Sequence, residues 1–363
     1  MIKILHVGFS ENPGGVENIV MNYYREIDKT QFQFDFLDLY GNGIAFQEEI
    51  TALGGKILPL PNYKRHPVTA AHRLSAYLKQ EHYDIVHVHM QSAANIMPIL
   101  CARRNGVKAV IAHSHSSSLP SGMLRKLFNR MNLNRLRNMP IEKWACGMKA
   151  GKWMWGDSFR ACDIVANAID YEQYRFHADI RAQRRKECGL SDTDRVIGFV
   201  GRFGEEKNTF FLLDILQQLR TYSKDYKLLT VGGNDLYDEF YKKLKEKNLE
   251  DAYYSAGIQK SARDWYQAMD AFLLPSFFEG FPMVGVEAQA AGLPCYLSDR
   301  ISPEIDLSKS IRFLPIGEGC AKQWADAIHA DFGKQSREDI SITDGYKIRQ
   351  ATRQLEEKYK CLV

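Results

Sequence analysis

Short apolar runs alternate with helix-patterned segments along this chain, and the alternation starts twice. The first start is residues 2–7 closed by Gly8, then a turn through Gly14 and Gly15, then a helical pattern through Tyr24. The second is residues 195–201, followed by a helical pattern over 208–221. Strands separated by helices cannot close as hairpins, so they form parallel sheets covered by helices, and such sheets bind ligands beyond the C-terminal ends of their strands. Further strands are expected at 32–39, 56–60, 84–89 and 109–113, with helices near 45–53, 68–80 and 93–104. The second series continues with strands at 227–231, 253–255, 271–274 and 294–297 and helices at 236–246 and 283–291. A chain of 363 residues exceeds what one hydrophobic core serves. The fold class is therefore α/β with two Rossmann-like, doubly wound parallel-sheet domains, 1–175 and 176–344. The connector is expected over 167–174 and the charged stretch 181–187. The helical tail 345–363 is expected to pack back onto the first domain, and a site is expected in a central cleft that the two domains face.

Composition narrows the class. With 45% hydrophobic and 25% charged residues the chain reads as globular, and no apolar run approaches the length of a membrane span. The N-terminus enters a strand at once, without the layout of a signal peptide, which points to a cytoplasmic protein. Seven cysteines without a C-x-x-C pair argue for reduced thiols and against a disulfide framework or a zinc site. The net charge of +4 is uneven, because Lys and Arg exceed Asp and Glu by 20 to 14 through Asp170 but trail by 28 to 30 beyond it. From 121 to 160, nine basic residues face two acids, and within 123–137 apolar residues fall at 123, 124, 127, 128, 131 and 136. This helix reads either as interfacial, with an apolar face and a cationic rim for anionic lipid on the inner face of a cell membrane, or as core-facing with a basic outer side. Nucleic acid is not an expected partner, since no aromatic platform or recognition motif accompanies the charge.

Four segments carry candidate chemistry. In 275–292, a buried strand ends in a tight loop and a helix begins at Pro282, a residue suited to the first helical position. The amides of Phe281, Met283 and Val284 would make that helix end attractive to an anion or to sugar hydroxyls, with Gly280 preceding them and Glu279 and Glu287 on either side. In Gly201–Asn208, Arg202 and Lys207 offer a rigid donor fork and a mobile cation, a combination suited to a diphosphate whose charge no metal neutralises. Gly14 and Gly15 permit close backbone approach to a phosphate or sugar, or form a plain turn; they are not the G-x-G-x-x-G fingerprint, so a dehydrogenase fits poorly. His113 and His115 share one face at a strand's C-terminal end. Donation to a sugar hydroxyl, a structural pair and a metal remain open for them, the last without an evident third ligand nearby. His87 and His89 repeat the spacing and are expected to pack at the sheet edge.

In order and spacing, Gly14-Gly15, Gly201-Arg202 with Lys207-Asn208, and Glu279-Gly-Phe-Pro with Glu287 resemble family 4 retaining glycosyltransferases of the GT-B fold. The segments 167–170 and 268–276 are also similar to that family. The resemblance implies that Arg202 and Lys207 hold the nucleotide diphosphate and stabilise the leaving group, so that no metal and no other cofactor is needed. It implies that Glu279, Gly280, Phe281 and Pro282 hold the donor sugar, that the Met283 and Val284 amides lie near phosphate, and that Glu287 accepts from ribose hydroxyls. His115, or else His113, would touch the transferred sugar. Gly14 and Gly15 would lie by the diphosphate or acceptor, and Ile258 would touch the base. The chain further resembles bacterial capsular and exopolysaccharide transferases, which implies a hexose moved from a nucleotide sugar, UDP first, to a glycan or polyprenyl-linked acceptor. A nucleotide-sugar epimerase of the same architecture and a non-catalytic sugar-nucleotide-binding regulator remain as alternatives.

Overall fold

The computed structural model describes every residue except Ser117, Ser118 and Asp235, and the side chain of Asp339. The chain forms two compact units, Met1–Ile169 with Asp344–Val363, and Asp170–Thr343.

The first unit is built on β1 (Ile2–Val7), β2 (Phe32–Asp38), β3 (Ile57–Pro59), β4 (Ile85–Met90), β5 (Ala109–Ser114), β6 (Glu142–Ala145) and β7 (Asp163–Ile164). They pair in parallel in the order β3-β2-β1-β4-β5-β6-β7. Burial on both faces accounts for the apolar residues of β1 and β4, where Ile4, Leu5, Ile85 and Val86 are all buried, although His6, His87 and His89 are buried among them. The helix Ile348–Cys361 belongs to this unit. Its apolar stripe of Ile348, Ala351, Leu355 and Tyr359 is buried at the three-and-four spacing of a helix face. The Tyr359 ring stacks on Trp144 at 5.7 Å, Glu356 accepts from the Asp28 amide at 2.9 Å, and Lys358 pairs with Asp163. The chain leaves and re-enters the unit at adjoining points, since the Ile348 amide donates to the Ile169 carbonyl at 2.8 Å.

The division falls at Ile169–Asp170, six residues before the expected 175. The physical reason is Gln267, whose amide donates to the Tyr174 and Arg175 carbonyls at 3.1 and 3.3 Å and ties the turn Tyr171–Tyr174 to the second unit.

The second unit contains β8 (Arg195–Val200), β9 (Tyr226–Val231), β10 (Tyr253–Ser255), β11 (Ala271–Leu274), β12 (Cys295–Ser298) and β13 (Ile311–Leu314), parallel in the order β10-β9-β8-β11-β12-β13. At the N-terminal side of β11, Asp270 accepts from Arg181 at 2.5 Å, from Arg185 at 2.6 Å and from the Val196 amide at 2.7 Å. Nearby Arg337 donates to the carbonyls of Tyr266, Gln267, Met269 and Ala291. Burial, and then the neighbouring Arg181 charge, lower its pKa to about 9.

The helix Met123–Arg137 forms as its pattern predicts, and it meets the core along one edge, through Leu136 and Leu133. Its buried positions are Asn129 and Leu136, on an edge apart from the main apolar face. Asn129 accepts from the Ala93 amide at 2.8 Å. Met123, Leu124 and Met131 are 87%, 70% and 63% exposed, and Leu127 and Phe128 are exposed with them.

Candidate functional site

Strands β8 and β11 are neighbours, so the loops leaving their C-terminal ends run side by side. After β8 the chain passes Gly201 and Arg202, makes a short 3-10 turn over Glu205–Lys207 and starts the helix Phe210–Tyr222. After β11 it passes Ser276 and Glu279 and starts the helix Met283–Ala290. Two hydrogen bonds stitch the loops together: the Phe277 amide donates to the Glu206 carbonyl at 2.9 Å, and the Asn208 side chain to the Pro275 carbonyl at 3.2 Å. Asn208 takes the left-handed conformation with φ 53°, which asparagine tolerates, and this turns the chain into the helix.

The stitching brings Lys207 and Glu279 together. The ammonium lies 2.6 Å from the Glu279 carboxylate, which also accepts from the Ser276 hydroxyl at 2.8 Å. Both side chains are largely shielded, at 19% and 12% exposure, so neither cation nor carboxylate would be stable there alone. Arg202 stands beside this pair on the same loop, exposed and held by Glu206 at 2.7 Å.

Pro282 is extended and immediately precedes the first helical residue, Met283, rather than occupying the first helical position as expected. The reason is local: the Pro282 carbonyl already accepts from the Gly285 amide at 3.0 Å, making it the capping residue. The Met283 and Val284 amides belong to the first turn, with Gly280 and Phe281 in the approach to it. One turn on, Glu287 accepts from the buried Tyr266 hydroxyl at 2.8 Å, and Tyr174 also bonds it. Burial raises the Glu287 carboxyl pKa above the usual carboxylate range, against the lowering effect of the two hydroxyls.

Ile258 is exposed beyond β10 and lies against Gly233, where a Cβ would meet it at 3.4 Å. Sequence reasoning missed Gly232, which has φ 128° and leaves no room for a Cβ, because the Gly201 carbonyl would be 2.0 Å from it. A glycine pair directly after a predicted strand was the available signal. Tyr266 and Tyr174 were also missed, since nothing local marks a hydroxyl that acts on a distant carboxylate, and Ser276 was missed although it stands only three residues before Glu279.

In the first unit, Gly14 caps the helix Gly15–Glu26, and Gly15 has open space where a Cβ would stand. The buried Glu17 fixes this loop by accepting from the Ser10 amide at 2.8 Å, the Ser10 hydroxyl at 2.8 Å and the Gly14 amide at 3.1 Å.

The histidines converge more than their spacing suggested. His87 and His89 lie on β4, which is the fourth of seven strands and not a sheet edge, because β1 pairs on one side of it and β5 on the other. Register sets His6 of β1 beside His87 and His89 beside His113. The expected lack of a third ligand near His113 and His115 is likewise corrected, since β1 and β4 bring His6, His87 and His89 to them. His6 Nδ1 is 3.0 Å from His89 Nε2, His89 Nδ1 is 3.0 Å from His115 Nε2, and His87 Nε2 is 3.1 Å from His113 Nδ1. His87 Nδ1 meets the Tyr359 hydroxyl at 2.8 Å. Burial lowers the pKa of His6 and His115 to about 3 and holds the other three well below the usual value. His115 Nδ1 is buried and Nε2 faces His89, so a ring turn would have to precede any bond to a sugar. Ser117 and Ser118, which follow in the serine run, lie outside the described residues.

Two Rossmann-like parallel-sheet units in one chain, one carrying a cationic strand-end loop beside a helix N-terminus, are the architecture of GT-B sugar transferases. The family description "Glycosyltransferase Family 4" matches residues 13–149, and "Glycosyl transferases group 1" matches residues 194–330. A putative glycosyltransferase, EpsF of Bacillus subtilis strain 168, is 31% identical over 353 residues, covering 94% of this chain and 91% of that protein. The chain belongs to the family 4, group 1 glycosyltransferases. It is also 23% identical to the Escherichia coli UDP-Gal:alpha-D-GlcNAc-diphosphoundecaprenol alpha-1,3-galactosyltransferase, over 82% of this chain and 79% of that one. The fold matches HepE of Anabaena, solved with UDP and glucose, with a TM-score of 0.79 at 16% identity over 99% of this chain and 100% of that one. The protein is a glycosyltransferase, and these relatives favour neither the epimerase nor the non-catalytic regulator.

Proposed function

We propose that this glycosyltransferase moves a hexosyl unit from a UDP-sugar to a glycan or polyprenyl-diphosphate-linked acceptor in surface polysaccharide synthesis, with retained configuration and without a divalent cation. The observation that carries the reading is the 2.6 Å Lys207–Glu279 pair at the ends of adjacent strands, with Arg202 alongside. Lys207 and Arg202 supply positive charge where a diphosphate leaves, which is the work a cation does in other transferases. Glu279 is committed to Lys207 and Ser276, which favours positioning the donor sugar over attacking it. A front-face route, in which the departing phosphate oxygen takes the acceptor proton, then needs no protein nucleophile. The first-turn amides at Met283 and Val284 would meet phosphate, Glu287 the ribose hydroxyls, and Ile258 the base.

UDP as donor nucleotide and a lipid-linked acceptor are supported by the Escherichia coli relative's name and by the UDP complex of HepE. The test is transfer of radiolabelled sugar from a panel of nucleotide sugars to polyprenyl-diphosphate sugars, with product anomers read by NMR. Inversion, or hydrolysis-free isomerisation of the donor, would sink the reading. Metal independence has its own measurement: by calorimetry, UDP binds with the same affinity in EDTA and in millimolar magnesium. A gain of about tenfold or more with magnesium would show a cation bridging the diphosphate.

The exposed face of Met123–Arg137 supports a place at a membrane. Met123, Leu124, Leu127, Phe128 and Met131 form an unbroken apolar arc, and the exposed Lys126, Arg130 and Arg135 border it. Among the described residues no helix is long and apolar enough to cross a bilayer, so the contact proposed is peripheral. Each basic residue near an anionic surface contributes about 1 kcal/mol, which salt screens. The chain is expected to float with phosphatidylglycerol vesicles at low salt and to release in part at high salt. Leu127→Glu with Phe128→Glu should abolish flotation, whereas binding untouched by that pair would remove the helix from the argument.

A further inference from the structure

We propose that His89, His113 and His115 form a binding site for a late first-row divalent cation, with zinc as its probe, and that His6 and His87 hold two of these ligands from behind. One ring nitrogen from each of His89, His113 and His115 lies within 4.8 Å of the others. The His89 Nδ1 to His115 Nε2 separation of 3.0 Å is near the ~3.3 Å edge of a tetrahedron with zinc–nitrogen bonds of about 2.0–2.1 Å.

The rest of the cluster has the form such a site requires. A ligating imidazole ordinarily has its other nitrogen hydrogen-bonded, which fixes the tautomer. His89 Nε2 faces His6 Nδ1 at 3.0 Å, and His113 Nδ1 faces His87 Nε2 at 3.1 Å, with His87 anchored in turn on Tyr359. That leaves His89 Nδ1 and His113 Nε2 for a cation. Among the described residues, His113 Nε2 is buried without a hydrogen-bond partner. A buried polar atom left unsatisfied beside the other ligands points to an occupant. The cavity they line, with Tyr23, Leu355 and Tyr359, measures about 20 Å³ and admits one ion or one water molecule. Imidazoles alone, without carboxylate or thiolate among the lining residues, suit zinc, copper or nickel rather than magnesium or calcium. Gly8 shapes the same place: its φ is 124°, and a Cβ there would lie 2.4 Å from the His89 carbonyl. This assignment replaces the sugar contact expected of His115 and does not rest on Lys207 or Glu279.

The experiment is calorimetric titration of the tag-free full chain with zinc after chelator dialysis, repeated with cobalt(II) to read tetrahedral d–d absorption. One equivalent is expected to bind, with His115→Gln abolishing the cobalt spectrum and His87→Gln weakening zinc about 10- to 100-fold. The exposed His66→Ala should bind as the parent does. Folding of each variant is checked by circular dichroism, and His115, the least enclosed of the cluster, serves if His87→Gln does not fold. Absence of zinc binding by the folded parent overturns the proposal and leaves the cavity to water. Binding unchanged in His115→Gln overturns it equally, by placing the metal on cysteines or elsewhere. Neither result bears on UDP affinity, so the transferase reading is tested separately.

Discussion

Lys207→Ala and Glu279→Gln are each expected to lower kcat/KM for sugar transfer by about a hundred- to a thousandfold while the protein stays folded. Removing one preorganised group from a charge-stabilising site costs about 2.7–4 kcal/mol of transition-state binding. Here the two groups depend on each other, because they stand 2.6 Å apart and largely shielded. Taking away Lys207 removes both the cation proposed for the leaving group and the ion pair that holds the Glu279 carboxylate. The double variant should therefore lose far less than the product of the single losses. Glu279→Gln retains an acceptor for the Ser276 hydroxyl and so isolates the lost charge from lost packing. Arg202 is exposed and held by Glu206 on its own loop, so Arg202→Ala should cost less than Lys207→Ala. Steady-state kinetics on the matched donor, with thermal melts alongside, decide the matter. Turnover within a few-fold of the parent in Lys207→Ala would end the assignment of this loop to the diphosphate.

Asp270→Ala should destabilise the second unit by about 3–5 kcal/mol, the usual cost of leaving a buried charge without its partner. Asp270 binds both Arg181 and Arg185, and the Arg185 side chain is only 2% exposed. With the charged Arg337 beside them, removal of the carboxylate leaves three guanidinium groups close together. Urea unfolding measures the loss. The Arg220–Asp251 pair provides the contrast, since its carboxylate is 63% exposed and Asp251→Ala should change stability by no more than about 1 kcal/mol. Equal effects at the two aspartates would show that burial does not govern the cluster at Asp270.

What could be read from the sequence follows the range of the interactions. The strand-turn-helix starts at Ile2 and Arg195 were legible because apolar runs and glycine turns are local signals. The loop before Met283 was legible for the same reason, apart from the capping place of Pro282. Strands β6, β7 and β13 were not expected: β6 reads Glu-Lys-Trp-Ala, β7 has two residues, and β13 is partly exposed with Arg312 in its middle. Such segments become strands by joining an existing sheet edge rather than by propensity. The Lys207–Glu279 contact depends on β8 lying next to β11, and the histidine cluster on β1 lying next to β4, and neither adjacency is sequential. In the basic helix, spacing alone could not decide which side packs. The answer came from the Asn129 and Leu136 edge, which the apolar count had partly merged with the exposed face.

The closing helix has a consequence for how the molecule is made. Tyr359 reaches His87 across 272 positions of sequence, and the entire second unit is synthesised between the two parts of the first. The second unit is continuous and can complete its core during translation. The first must wait with its sheet face open, the histidines and Trp144 uncovered, until the last helix arrives. Contacts so distant in sequence form slowly and leave apolar surface exposed in the meantime. Of the two units, the one whose translation starts first is thus finished last, and the interval is when it is most vulnerable to aggregation.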